Sequence, residues 1–354
     1  MRDPRVDQLA RTLVHYSTGL RQGERVLILG TQLARPLAVA VYREAIGVGA
    51  LPTLWATFEE LGWILFSQGS DAQLEWLDPI LLEAARQADV YISLRAPENL
   101  KMLTNIDPAR QVLTQKARQP FLDVVLQKRW VISELPTSAL AQEAGMSIEE
   151  FEDFVFGAVS LDWPAMRSEL QRRKAQFEVG REGRILGRDT DLRLGVAGRT
   201  WIPDDGTHNM PGGEIFTGPV EDSVEGEILY DFPAVYGGRE VDGVRLRFKA
   251  GRVVDASART GEGYLLKMLD ADEGARRLGE LGVGTNYGIQ RFSKSVLFDE
   301  KIGGTIHLAL GRSYEETGGT NQSAVHWDMV KDLRADGEIQ LDGKAVQRNG
   351  RFLD

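Results

Sequence analysis

Two hydrophobic periodicities divide this chain of 354 residues near residue 180, and one uniform architecture does not accommodate both. In the first half, short continuous apolar runs alternate with helical stretches. Arg25-Val26-Leu27-Ile28-Leu29-Gly30 reads as a buried strand, the stretch from about Arg35 to Gly47 as a helix, and Leu51 to Phe58 as a second strand. Helical segments around 61–66 and 71–88 lead to a strand at 90–94, and a further helix leads to a strand at 130–133. Strands that are apolar throughout and separated by helices predict a mainly parallel sheet covered on both faces. Ser147 and Glu150 have the spacing of a capping box ahead of Phe151, Phe154 and Val155, and a helix at about 163–177 closes the half.

Beyond Gly180, glycine becomes frequent and apolar residues alternate with polar ones. Val244, Leu246 and Phe248 interleave with Arg245, Arg247 and Lys249, and Ala250-Gly251 turns the chain into Val253-Val254, the pattern of a hairpin. One helical insertion is expected from about Glu262 to Leu281, with Asp270 and Glu273 suiting a fresh helix start and Glu280 at its end. The expected organisation is an α/β domain with a mainly parallel sheet over residues 1–180, followed by a mostly β (α+β) domain over 181–354.

Composition narrows the chemistry. With no cysteine, disulfides, thiolate metal sites and cysteine nucleophiles are excluded, so any metal must be held by nitrogen and oxygen. A formal net charge of −10 argues against nucleic acid as a partner, and Arg172-Arg173-Lys174 beside Glu169 and Glu178 reads as a solvated helix face. The N-terminus lacks an apolar leader, and no run approaches the roughly 18 apolar residues of a membrane span, so the expectation is a cytoplasmic protein without membrane contact. No GxGxxG follows a strand and no P-loop is present. The run Gly282–Gly288 has the wrong spacing and is expected to be a turn.

The sharpest chemical signal lies in the last quarter of the chain. His307, Tyr314, His326 and Asp328 crowd into one stretch of a protein with only four histidines. In an extended segment His326 and Asp328 share a face, while Val325, Trp327 and Met329 take the other. His307 likewise alternates with Ile306, Leu308 and Leu310, beside small Thr305 and Ala309. Taken singly, each histidine could be a satisfied strand residue; together with the intervening tyrosine they point to a bound cation. His15 reads as structural and His208 as a surface residue, and neither Glu315 nor Glu316 is assigned a role. A two-metal hydrolytic site takes about five or six ligands, some bridging, and the best-placed further carboxylates are Glu214 and Glu280, both among glycines.

The segments NMPGGEIFTGPVEDSVEGEI, LGELGVGTN, LFDEKIGGTIHLALGRSY and NQSAVHWD, in this order, closely resemble the aminopeptidase T family of metalloaminopeptidases, family M29. The resemblance covers about Gly187 to Gly343, and the first half agrees more loosely in layout. It implies a metal ligand set of Glu214, Glu280, His307, Tyr314, His326 and Asp328, with Tyr314 also stabilising the oxyanion. It further implies two divalent ions per chain (Zn, Co, Mn or Mg), a homodimer, and release of N-terminal residues from short peptides by a metal-bridging water. The alternative is a metal-dependent amidohydrolase acting on non-peptide amides with the same site. The connection from Tyr314 to His326 is short for the family, which bears on substrate preference rather than on the chemistry.

Overall fold

The computed structural model describes residues 3–353. They form two compact units. The first runs to Ser160 and also takes in Gly206–Pro211; the second comprises Leu161–Asp205 and Gly212–Asp354. The boundary expected after residue 180 therefore falls at 160/161. The helix Trp163–Glu178 packs on the strands Ile202–Asp204 and Glu214–Thr217 of the second unit and buries Trp163, Leu170 and Phe177.

In the first unit a five-stranded sheet runs in the order Leu51–Thr57, Arg25–Thr31, Val90–Arg95, Arg129–Glu134 and Asn209–Met210, every pairing parallel. The continuous apolar strands have the geometry they predict: Val26, Leu27 and Ile28 are fully buried, as are Val90, Ile92 and Val131. The capping box is present, with Ser147 N–H donating to Glu150 Oε2 at 2.8 Å and Glu150 N–H to Ser147 Oγ at 3.2 Å. The expected helical stretch at 71–88 is two helices, Asp71–Leu74 and Pro79–Gln87. Asp78 caps the second and Pro79 takes its first turn, where the missing N–H has no cost. His208 is exposed and stands edge-on to Trp130, with ring centroids 4.7 Å apart.

The second unit is built from antiparallel sheets. One has eight strands and includes the hairpin Arg245–Lys249 and Arg252–Ser257. Another runs in the order His326–Asp332, Thr305–Gly311, Leu278–Gly284, Glu214–Thr217 and Ile202–Asp204. Its strands Leu278–Gly284 and Thr305–Gly311 are buried at every residue, so the sheet is covered on both faces and His307 lies in no open polar face. One apolar cluster of this unit takes in Leu281, Val283, Ile306, Leu308, Leu310, Trp327 and Met329. The aromatic anchor is Trp327, 1% exposed, with Tyr236 and Tyr264 against it at 5.5 and 5.9 Å.

Three expectations are corrected here. The helix that begins at Glu262 ends at Leu269, with Asp270 as its C-cap rather than a fresh start, and Glu280 stands within the strand Leu278–Gly284. That strand also absorbs the first half of the supposed turn at Gly282–Gly288. In the basic run, Arg173 is buried, bonded to Glu169 and Gln176 with its guanidinium 4.2 Å over the Phe352 ring, because the helix turns this one position toward the core.

Candidate metal centre

Four neighbouring strands each present polar groups to one place. Antiparallel register sets Glu214 opposite Gly284, Gly282 opposite His307, and Ala309 opposite Asp328, so Glu214, Glu280, His307, His326 and Asp328 are brought together across the sheet. Their atoms fall into two overlapping triads, Glu214–Glu280–His307 and Glu280–His326–Asp328, each with ligand atoms within 4.8 Å of one another. Glu280 belongs to both. Its Oε1 lies 3.2 Å from His307 Nε2 and its Oε2 lies 3.3 Å from His326 Nε2.

The far side of each ring decides what these contacts can be. His307 Nδ1 is 3.1 Å from the carbonyl of Glu300, and His326 Nδ1 is 2.8 Å from the carbonyl of Arg312. A carbonyl only accepts, so each Nδ1 carries a hydrogen, and a neutral ring then aims a lone pair from Nε2 at a carboxylate oxygen. Two acceptors at such distances need a proton or a cation between them. This arrangement of imidazole and outer carbonyl is the one by which proteins orient histidine ligands.

Electrostatics of the cluster agree. Burial depresses the charge of both histidines, yet the neighbouring Glu214 and Glu280 push His307 up to about 10, and Glu280 with Asp328 push His326 up to about 9. Burial alone would raise Glu280, but hydrogen bonds from the two rings hold it at about 2. Glu214 is lifted well above the usual carboxylate range by burial, which Lys301 and His307 only partly oppose, and burial lifts Asp328 to about 6. Protons therefore occupy the places between imidazole and carboxylate. Two buried carboxylate oxygens, Glu214 Oε2 and Asp328 Oδ1, have no hydrogen-bond partner, and they flank Glu280 on either side. The donor set, oxygen and imidazole nitrogen with orphaned oxygens aimed inward, fits divalent cations.

Tyr314 lies beyond the end of the His307 strand, its ring edge-on to His326 at 5.1 Å and to Phe216 at 5.7 Å, and it is 38% exposed. Burial, reinforced by Glu280 and Asp328, raises its phenol well above the ordinary value, so the hydroxyl keeps its proton. The loop from Tyr314 to His326 is held by Thr317, whose N–H and hydroxyl both donate to the Tyr314 carbonyl, and by Asn321, whose amide donates to the carbonyls of Gly274 and Gly311.

Sequence reasoning overlooked three residues. Glu300 forms a third triad with His307 and Asp328. Lys301 and Asp204 are buried, and Lys301 Nζ lies 3.5 Å from Asp204 Oδ2 and 3.3 Å from Glu214 Oε1 while also bonding Glu300. Burial disfavours the lysine charge, but Glu214, Glu300 and Asp204 outweigh it and hold its pKa well above the usual range. The run Asp299-Glu300-Lys301 resembles any surface loop, and only an alternation leading back from His307 could have drawn attention to it.

A buried histidine–carboxylate cluster on an antiparallel sheet is a candidate metal centre. The chain belongs to the thermophilic metalloprotease (M29) family, whose pattern matches residues 2–352. Aminopeptidase 2 of Geobacillus stearothermophilus is 27% identical, covering 98% of this chain and 97% of that protein, and aminopeptidase T of Thermus thermophilus is 27% identical, covering 98% of each. The solved structure of wild-type AmpT from Thermus thermophilus superposes with a TM-score of 0.88 at 25% identity, covering 99% of each chain. A 2,5-dihydroxypyridine dioxygenase from Pseudomonas putida shares the fold, with a TM-score of 0.65 at 15% identity, covering 98% of this chain and 96% of that one.

Proposed function

We propose that this chain is a metal-dependent aminopeptidase, releasing N-terminal residues from short peptides at a site for two divalent ions. The observation that carries the reading is the position of Glu280, shared by two ligand triads, with one oxygen facing each of two imidazoles whose outer nitrogens are already committed. A bridging carboxylate of this kind is what a two-ion site requires. Glu214 and His307 would hold one ion, His326 and Asp328 the other, and Glu280 both, with Tyr314 at the edge of the second. Zinc, cobalt, manganese and magnesium all suit these donors.

When bound, such ions supply an acidified water and polarise a peptide carbonyl. The chain's own residues then have separable tasks. Glu280 and the carbonyls of Glu300 and Arg312 fix both imidazoles in one orientation. The Tyr314 hydroxyl, protonated at neutral pH, is a donor for the carbonyl oxygen of the substrate as that oxygen gains charge. With two divalent ions bound, the charges of Asp204, Glu214, Glu280, Glu300 and Asp328 would be balanced by the ions and Lys301. The field of the site therefore does not by itself select the substrate, and a peptide with a free α-amine is chosen as the substrate of an aminopeptidase. The aminopeptidase relatives, matched along nearly their whole length, support the same choice.

The reading includes a cytoplasmic homodimer. Its support is the number of large apolar side chains the first unit leaves uncovered, with Leu51, Phe58, Leu61, Trp63 and Trp76 each at least 43% exposed. Among the described residues no helix is long and apolar enough to cross a membrane. The decisive assay strips metal, adds back single divalent ions, and compares aminoacyl-anilides with their N-acylated counterparts. Cleavage of free-amine substrates alone is expected. Equal cleavage of blocked substrates would instead establish the amidohydrolase alternative.

A further inference from the structure

Lys301 is fully buried, and each of its three charged partners is a carboxylate of the metal cluster or its border. Its position is rigid: its N–H donates to the Phe298 carbonyl at 3.1 Å, and its own carbonyl accepts from Asn286 N–H at 3.0 Å. The ammonium treats the two ends of the cluster differently. At one end it lies 3.3 Å from Glu214 Oε1, leaving only Oε2 turned toward His307, and it also engages Glu300. At the other end, no lysine among the described residues pairs with Asp328, whose ion-pair partner is His326, and Glu280 gives one oxygen to each end.

We propose that Lys301 is a resident cation that makes the two ion positions unequal, so that the ion held by Glu280, His326 and Asp328 binds more tightly and the ion held by Glu214, Glu280 and His307 is the weaker, exchangeable one. The inference rests on the two-ion reading. Its physical basis is competition for one carboxylate. An ion on Glu214 Oε2 shares its charge partner with an ammonium already on Oε1, and like charges this close weaken each other's hold in a buried site. Lys301 also bonds Glu300, the carboxylate of the third triad with His307 and Asp328, so an ion there would share that carboxylate with the ammonium as well. Lys301 is thus a positioning residue that acts through Glu214 and Glu300, with no contact to substrate.

The test is calorimetric titration of the metal-stripped full chain with Zn²⁺, paired with elemental counting of bound zinc after gel filtration. Wild type is expected to bind two equivalents with affinities separated by about tenfold or more. Lys301→Met should tighten the weaker event by about tenfold and leave the tighter within about threefold, while Lys301→Arg should preserve the separation. Removing the lysine leaves buried carboxylates unpaired, so Glu214→Gln serves as a second variant whose Lys301 still meets Asp204 and Glu300. It should abolish the weaker event only. Two equal events in wild type, or a Lys301→Met variant that shifts both events or neither, would overturn the inference while leaving the two-ion reading intact. One equivalent in wild type rising to two in Lys301→Met would overturn the two-ion reading for the native chain and support the role of Lys301. One equivalent in both would overturn both.

Discussion

The imidazole of His307 lies directly against the backbone of Gly282, its partner in the sheet register: a Cβ at position 282 would stand 1.9 Å from His307 Cε1 and 2.3 Å from Nε2. Gly282 is not among the residues with positive φ, so its glycine is demanded by the ring above it and not by its own backbone. Gly282→Ala should therefore tilt His307 off Glu280 while the sheet survives. We expect loss of one zinc equivalent and a fall in peptidase activity of about a hundredfold or more, since small displacements of positioned groups are this costly. Zinc counting with circular dichroism separates this outcome from unfolding, and an alanine variant with unchanged zinc content and turnover would contradict the geometry.

His326→Ala removes one of the two rings that face Glu280 and leaves Asp328 without its nearest cationic neighbour. Activity should drop to background and the tighter zinc event should disappear. His326 is partly exposed, so the fold should lose little. Near-normal turnover in this variant would remove the second triad from the site.

The pH dependence of stability follows from the two histidines. Their folded-state values, about 10 and about 9, exceed the ordinary 6.5, so the stability they contribute is complete below about pH 6.5 and is lost as pH rises through 9 to 10. The raised value of Glu214 acts in the same direction, because its ionisation is resisted by burial. Chelator-treated protein should thus show a falling Tm between about pH 6.5 and 10. Saturating zinc, which takes the place of the Nε2 protons, should flatten that decline, and its binding should release protons. A Tm that rises with pH in the chelated protein would contradict the arrangement of charges.

Asp272 ties down the loop that delivers His326. Its carboxylate accepts from Ser323 Oγ at 3.0 Å, Ala324 N–H at 2.8 Å and Ala275 N–H at 2.9 Å. Burial works against its charge, but these bonds prevail and hold its pKa below the ordinary value. Asp272→Ala should cost roughly 0.5–1.5 kcal/mol in urea unfolding, the usual net worth of a hydrogen bond whose freed donor can turn to water. It should also weaken zinc binding at the His326 end more than at the Glu214 end, which calorimetry would show.

The first unit's sheet was legible in the sequence because a strand buried on both faces needs no alternation: Val26-Leu27-Ile28 and Val90-Tyr91-Ile92 are bounded by helices and turns that local chemistry specifies. In the second unit, Trp327 and Met329 against His326 and Asp328 gave the faces of their strand correctly. Glu280 was placed on a helix end because Leu278-Gly279-Glu280-Leu281-Gly282-Val283-Gly284 has glycine where strands usually carry β-branched residues. Those glycines answer to distant neighbours. A Cβ at Gly279 would meet the Arg312 carbonyl at 2.3 Å, just as one at Gly282 meets His307, and neither partner is near in sequence. Asp204, Glu300 and Lys301 were invisible for a related reason, since a buried charge is distinguished from a surface one only by what folds over it.

Because the donors come from side-by-side strands, the centre exists only in one alignment of the sheet. Sliding the strand His326–Asp332 by a single residue along Thr305–Gly311 would turn His326 and Asp328 into the core and swing Trp327 into the space meant for cations. No intermediate alignment retains part of the donor set on that strand. Binding of divalent ions by this protein is accordingly an assay of strand alignment as well as of chemistry, and a misaligned copy should be recognisable as one that is folded, compact and unable to bind them.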